Sequence, residues 1–442
     1  MKQESELILP EMLLVEQQLT DRRLPDVAAA VMAQMNGFPI PAHLKPGDKI
    51  AIAVGSRGIK NIPLIVRTVV DYWKAMGFKP FIFPAMGSHA GATAEGQKDF
   101  LAGLGITEDA MGCAIKSSMD VVETGTTPDG IKTYTDANAA NSAAAFPIGR
   151  VKWHTDFEGE IESGLIKMTA VGMGKLEGAK ECHRFAYEGI PMEKVIRQVA
   201  RQIFATNKVI GGLAILEDAY NNTAEVAAIP VAEIEAKEIE LLAKVKSWRA
   251  HIPVRELDLL IVNEIGKIIS GPGMDTTVVN RSSTTGAYNP WKDLTWIARI
   301  YARFLHPNSQ RNGMGVGMAD VIRDDIVRAM DEETTRINAT AAYIPRVAQV
   351  PLYHYPTDLR CLKEIAQLTP CGDPSKLKIG WIENSMMLNR LYLSKTLLPE
   401  IEANRNLKII GEVQKLEFNS EGQLPTRPSG FSTDDDLTTL AA

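Results

Sequence analysis

Three histidines and one lysine stand out by residue type and setting. His89 lies in MGSHAGAT, a glycine-rich loop that follows an apolar run. His154, Lys167 and His183 share the segment KWHTDFEGEIESGLIKMTAVGMGKLEGAKECHR, residues 152–184. Gly164, Gly172 and Gly174 in that segment argue against one long helix and predict strand, turn and short helix. An imidazole, with an ordinary pKa of about 6.5, takes up and releases protons near neutrality, and its neutral form ligates metals. A lysine amine supplies a positive charge or a nucleophile. No spacing rule forces these four groups together. A surface lysine and packed histidines account for the same pattern, and residues alone leave that alternative open.

The elements around them read as an alternating α/β pattern. KIAIAV (49–54) is a short β-rich run, GSRGIKN a polar loop, and IPLIVRTVVDYWKAMG a helix with Pro63 near its start and Gly77 just past its end. Pro lacks the N–H that a first turn leaves unpaired, and Gly tolerates the left-handed cap. KPFIFPA is the next strand, and AEGQKDFLAGLG the helix after the His89 loop. Strand, loop, helix repeated twice predicts a parallel sheet with right-handed crossovers, with ligands at the carboxyl ends of the strands. VIGGLAILED (209–218) reads as a late strand and VAEIEAKEIELLAKVKSW as an amphipathic helix with interleaved Glu and Lys. In the second half LDLLIVNEI, DLTWIARIYARFL, GMGVGMADVI and KIGWIE alternate strands and helices again, and SGPGMDTTVVNR (270–281) is the most turn-dense stretch.

The chain has 442 residues, 45% hydrophobic and 23% charged, with a formal net charge of −6. That length predicts two domains, 1–250 and 251–422, with a mobile tail from 423 to 442 rich in Pro, Ser, Thr and Asp. The acidic balance argues against a nucleic-acid or membrane surface. No apolar run reaches the roughly 18 residues of a membrane span, and the first residues lack a secretion-signal pattern. Four cysteines without a CxxC pair suit a reducing cytoplasm. Arg57 and Lys60, with Ser56 and Asn61 beside them, are candidate phosphate contacts at a helix N-terminus. Lys267 in NEIGKIISGPGMD and Arg281 in VVNRSS are candidate carboxylate or phosphate contacts.

The 152–184 block resembles the cofactor-anchoring stretch of nickel-pincer-dependent lactate racemases. The resemblance implies that Lys167, in ESGLIKM, holds a pyridinium-based pincer nucleotide covalently and that His183, in AKECHR, ligates its nickel. His89, in GSHAGAT, matches the Gly-(Thr/Ser)-His loop that supplies one catalytic base. His154 matches the second base if about three extra residues precede Lys167; without them Phe157 takes that position. The loop GSRGIKNIP also departs from the family's pattern. The resemblance therefore implies a divergent member: an α/β protein of two domains, each with a mostly parallel sheet flanked by helices, and an active site in the cleft between them. Its implied activity is racemisation or epimerisation of a 2-hydroxy acid, a sugar acid among the candidates, by reversible hydride transfer to the nickel-pincer nucleotide (a pyridinium-thioamide-thiocarboxylate mononucleotide). Its implied partners are that substrate, the cofactor-synthesis proteins and, in an oligomer, further copies of the chain.

Two other readings compete. One is a nickel-independent oxidoreductase or lyase on the same fold, against which stands the lack of a G-x-G-x-x-G after the first strand. The other is a non-catalytic ligand-binding homologue.

Overall fold

A computed structural model of the chain describes residues 7–56, 58–155, 157–341 and 343–431. The chain falls into two units, each packed chiefly on itself. One is Thr20–Arg249; the other joins residues 7–19 to 250–431. A first strand, β1 (Met12–Gln17), belongs to the second of these and is described with it.

The Thr20–Arg249 unit is built on β2 (Lys49–Val54) and β3 (Lys79–Pro84), the separate hairpin β4 (Val121–Thr126) and β5 (Lys132–Asp136), then β6 (Ala144–Arg150), β7 (Gly211–Glu217) and β8 (Thr223–Pro230). Its main sheet runs β3-β2-β6-β7-β8. The first four strands are parallel and β8 returns antiparallel along β7. The chain steps outward from β2 to β3 and later resumes on β2's other side with β6, so the strand order reverses between β2 and β6. Clefts that bind ligands open at such reversals, beyond the strands' carboxyl ends.

The helices of this unit follow from local chemistry. Ile62–Ala75 starts with Pro63 in its first turn and buries Ile62, Ile65, Val66, Val69, Val70 and Trp73. That spacing lines one face of a 3.6-residue period. Gly77, at φ +82, closes it as the sequence predicts. The Thr93 hydroxyl caps Ala94–Gly103 by accepting from the Gly96 N–H at 3.0 Å. One apolar core includes Trp73 edge-on to Phe38, Phe78 and Phe146; another, with Leu165 and Ile166 in it, includes Ala51, Ala53, Phe83 and Leu241.

The other unit holds one eight-stranded sheet. It contains β9 (Glu256–Ile265), β10 (Trp296–Leu305), β11 (Val321–Arg323), β12 (His354–Tyr355), β13 (Ile379–Ile382), β14 (Arg390–Ser394) and β15 (Leu407–Ile409). The order is β12-β11-β10-β9-β13-β14-β1-β15. The five strands from β12 to β13 are parallel, and β14, β1 and β15 add on antiparallel. The fold is α/β with mostly parallel sheets flanked by helices. Each of the four segments singled out in the second half carries a strand: β9, β10, β11 and β13.

The expected loose tail needs correction for residues 424–431. Leu424 and Phe431 are buried, and the Arg303 guanidinium donates to the carbonyls of Leu424 (3.2 Å), Pro425 (2.9 Å) and Thr426 (3.3 Å). Arg427 pairs with the buried Glu383 at 2.6 Å. A polar-rich segment docks here because buried charges need its backbone oxygens. Residues 432–442 lie outside the described ones. Among the described residues no helix is long and apolar enough to cross a membrane.

Candidate functional site

Three loops leave the carboxyl ends of β2, β3 and β6 and carry Ser56, His89 and the 151–174 segment. Small residues let these loops close on one another. A Cβ on Gly55 would lie 3.6 Å from the Met168 side chain, one on Gly149 at 3.0 Å from its sulfur, and one on Gly87 at 3.3 Å from the Val171 carbonyl. The Gly87 N–H donates to Gly172 at 3.1 Å. His89 thus leaves β3 beside the Lys167 segment, and its Nδ1 is hydrogen-bonded to the Ser56 hydroxyl.

Lys167 ends a short helical turn, Leu165–Lys167, which continues as a π-helical turn over Met168–Gly172. Such wide turns cluster at functional sites. The turn is seeded by a carboxylate from another helix. Glu238 Oε2 accepts the Leu165 N–H at 2.7 Å and the Ile166 N–H at 3.2 Å. Burial pushes the Glu238 carboxyl up to about 7, with the two backbone donors pulling the other way. Gly164 makes room for it, since a Cβ there would lie 2.4 Å from the carboxyl carbon and the carboxyl would have to shift.

The Lys167 amine is hydrogen-bonded to His154 Nε2. The His154 ring stacks on Phe157, centroids 4.4 Å apart. The His154 N–H donates to the buried Glu162, which also accepts the Gly159 N–H at 3.0 Å and pairs with Lys246. His183 follows on the helix Lys175–Tyr187. Burial and the nearby Lys167 charge lower its imidazole to about 4. It is therefore neutral at pH 7, the form a metal ligand needs. Lys167 is thus brought together with His154, its charge is felt at His183, and the His89 loop packs on the same segment.

The other predicted residues are placed differently. The Lys60 ammonium donates to Asn222 Oδ1 at 2.8 Å, and the Lys60 backbone N–H to Glu217 Oε1 at 3.0 Å. Asn61 donates to the Thr223 hydroxyl at 3.3 Å. Lys60 thus binds the connection after β7 and Asn61 the first residue of β8, and Glu217 also pairs with Arg150. Arg57 lies outside the described residues. Lys267, in the turn after β9, and Arg281 belong to the other unit. Arg281 is 2% exposed, stacks on Tyr288 at 4.0 Å, pairs with Asp320 at 3.5 Å and donates to the Ala298 carbonyl at 3.1 Å. Its guanidinium serves the interior of that unit.

Residue reasoning passed over Glu238, Gln97 and Lys175. Each sits on the buried stripe of its helix: Glu238 with Ile234, Leu241, Leu242 and Val245, Gln97 with Leu101, and Lys175 with Gly178, Ala179 and Cys182. A polar residue in phase with an apolar stripe is the signal that finds them.

No protein-family profile matches the chain, and no curated protein matches it by sequence. Among solved structures it is similar to the lactate racemase apoprotein from Thermoanaerobacterium thermosaccharolyticum, at 13% identity and a TM-score of 0.48, over 85% of this chain and 98% of that one. A likeness of that size is too slight for shared chemistry to follow from it. Among the described residues no group of three or more His, Cys, Asp or Glu side chains is arranged to hold a metal ion by itself.

Proposed function

We propose that the chain is an isomerase, a racemase or epimerase of a 2-hydroxy acid that works with a nickel-pincer nucleotide. What supports this reading is the contact of the Lys167 amine with His154 Nε2, with the Lys167 charge also lowering the His183 imidazole. The local chemistry fits the cofactor. Lys167 would hold the nucleotide covalently, and the neutral, mostly buried His183 would give nickel its protein ligand, the remaining donors coming from the pincer itself. When bound, the nucleotide would supply an electron-poor acceptor for the substrate's hydride.

The chain's own part is proton handling and orientation. A 2-hydroxy acid must lose its hydroxyl proton as the C–H bond breaks and regain it afterwards. His89, backed by Ser56, and His154, backed by Phe157, would exchange that proton from two directions, one for each enantiomer. Loading Lys167 as an amide removes its charge. One of the two causes that depress His183 would then vanish, while burial keeps the ring neutral. Under this reading the partners are the small hydroxy acid and the proteins that build the cofactor, in a reducing cytoplasm.

The test is co-expression with cofactor-synthesis proteins, then metal analysis and peptide mass mapping. Stoichiometric nickel and a mass adduct at Lys167, both lost in Lys167→Ala, are expected. An unmodified Lys167 and nickel-free protein, from cells that load an authentic racemase, would overturn the proposal.

A further inference from the structure

The loop that carries His89 has an unusual backbone. Ala90, Gly91 and Ala92 follow the histidine with φ of +52, +67 and +53. Alanine gains nothing in the left-handed region, because its Cβ crowds the neighbouring carbonyl. Two such residues flanking a glycine persist only where surrounding contacts over-determine the loop, and outliers of this kind are a reason to look for function.

Those contacts converge on one side chain. Gln97, fully buried on the helix Ala94–Gly103, donates through Nε2 to the carbonyls of Gly87 at 3.0 Å and His89 at 3.3 Å. Its Oε1 accepts from the Lys175 ammonium at 3.2 Å. Lys175 is itself fully buried, with φ +54 at the point where the π-helical segment passes into the His183 helix. The same ammonium donates to the Pro84 carbonyl, the last residue of β3, at 2.5 Å, and faces Asp136 Oδ2 at 3.2 Å. Asp136 is fixed in turn, its Oδ1 accepting the N–H groups of Asn138 (2.7 Å) and Ala139 (3.2 Å). The neighbouring Gly96 keeps the helix close, since a Cβ there would lie 2.4 Å from the Ala90 carbonyl.

We propose that Gln97 and Lys175 are positioning residues: a buried amide, oriented by a buried ammonium, ties the His89 loop to the helix that bears His183. An ammonium has only donors, so it fixes which end of the Gln97 amide faces it. The NH2 end is thereby aimed at the loop carbonyls. The importance of His89 rests on the racemase reading; the tether rests on these contacts.

The experiment compares Gln97→Met, which keeps the volume, with Gln97→Glu, which keeps an oxygen toward Lys175 and loses the donor. The reaction of His89 with diethylpyrocarbonate is followed by peptide mass spectrometry, against the exposed His354 of the same molecule. Both variants should modify His89 several-fold faster relative to His354, with thermal midpoints close to wild type. An unchanged ratio in both overturns the proposal. Should neither variant fold, the wild-type protein decides it: the Gln97 side-chain NH2 should exchange with deuterium far more slowly than an exposed amide, and exchange at the exposed rate overturns the tether. Neither readout needs turnover or cofactor, so a failed racemase assay and a failed tether are separate results.

Discussion

Lys167 and His154 meet tip to tip, amine to Nε2, although they stand 13 positions apart in the chain with a loop between. The contact exists because two buried carboxylates hold its two sides: Glu238 receives the backbone just before Lys167, and Glu162 receives the backbone of His154. Backbone donors that would lack partners in a tight turn are thus satisfied from neighbouring segments.

The Lys167 charge should be visible in the titration of His183. Burial is the larger cause and the lysine the second, so Lys167→Met should raise the His183 midpoint above about 4 without restoring the ordinary 6.5. A histidine whose folded-state pKa is depressed contributes stability that is full above 6.5 and is lost as pH falls toward 4. His183→Gln should therefore lessen acid destabilisation across that window. NMR titration and urea melts at stepped pH measure both effects.

Glu238 has the opposite sign. Its folded-state value of about 7 lies above the ordinary 4.5. The protonated form is favoured in the fold, so its contribution is full below 4.5 and is lost as pH rises through about 7. Glu238→Gln cannot ionise, and its stability should fall less than that of wild type between pH 5 and 8. Parallel pH profiles of the two proteins would show that burial does not shift this carboxyl.

Gly164→Ala places a methyl 2.4 Å from the Glu238 carboxyl carbon. Overpacking of this kind costs about 1–3 kcal/mol. The same movement should loosen the Lys167 turn, so amide exchange at Leu165 and Ile166 should quicken in the variant. Unchanged stability and exchange would mean that Glu238 can withdraw freely.

Arg281→Ala should act on stability first. Removing one partner of a buried pair leaves Asp320 and the Tyr288 ring without it, at about 3–5 kcal/mol. Chemical denaturation measures this directly. A variant as stable as wild type would make Arg281 a ligand contact again.

The sequence was legible where a pattern repeats. The strands Lys49–Val54 and Lys79–Pro84 and the helices Ile62–Ala75 and Ala94–Gly103 follow from apolar runs, the alternation of strand, loop and helix, Pro63 and Gly77. The contact of Lys167 with His154 was not legible from spacing, because it depends on how the loop between them folds back around Glu162 and on Glu238, which arrives from a helix some seventy residues further on. For Lys60, Asn61 and Arg281 a sequence shows charge or polarity and not its partner. Their partners here, Asn222, Thr223 and Asp320, are distant in the chain. The segment 424–431 looked loose because its composition is polar, while what anchors it is the need of Arg303 and Glu383 for hydrogen-bonding partners.

The seating of β1 between β14 and β15 has a consequence for biosynthesis. Met12–Gln17 leaves the ribosome hundreds of residues before Arg390–Ser394 and Leu407–Ile409. The intervening Thr20–Arg249 unit carries its own sheet and can fold while this early strand still waits. Its apolar Met-Leu-Leu-Val run stays unpaired for most of translation, an open edge that a chaperone or a second nascent chain would find first.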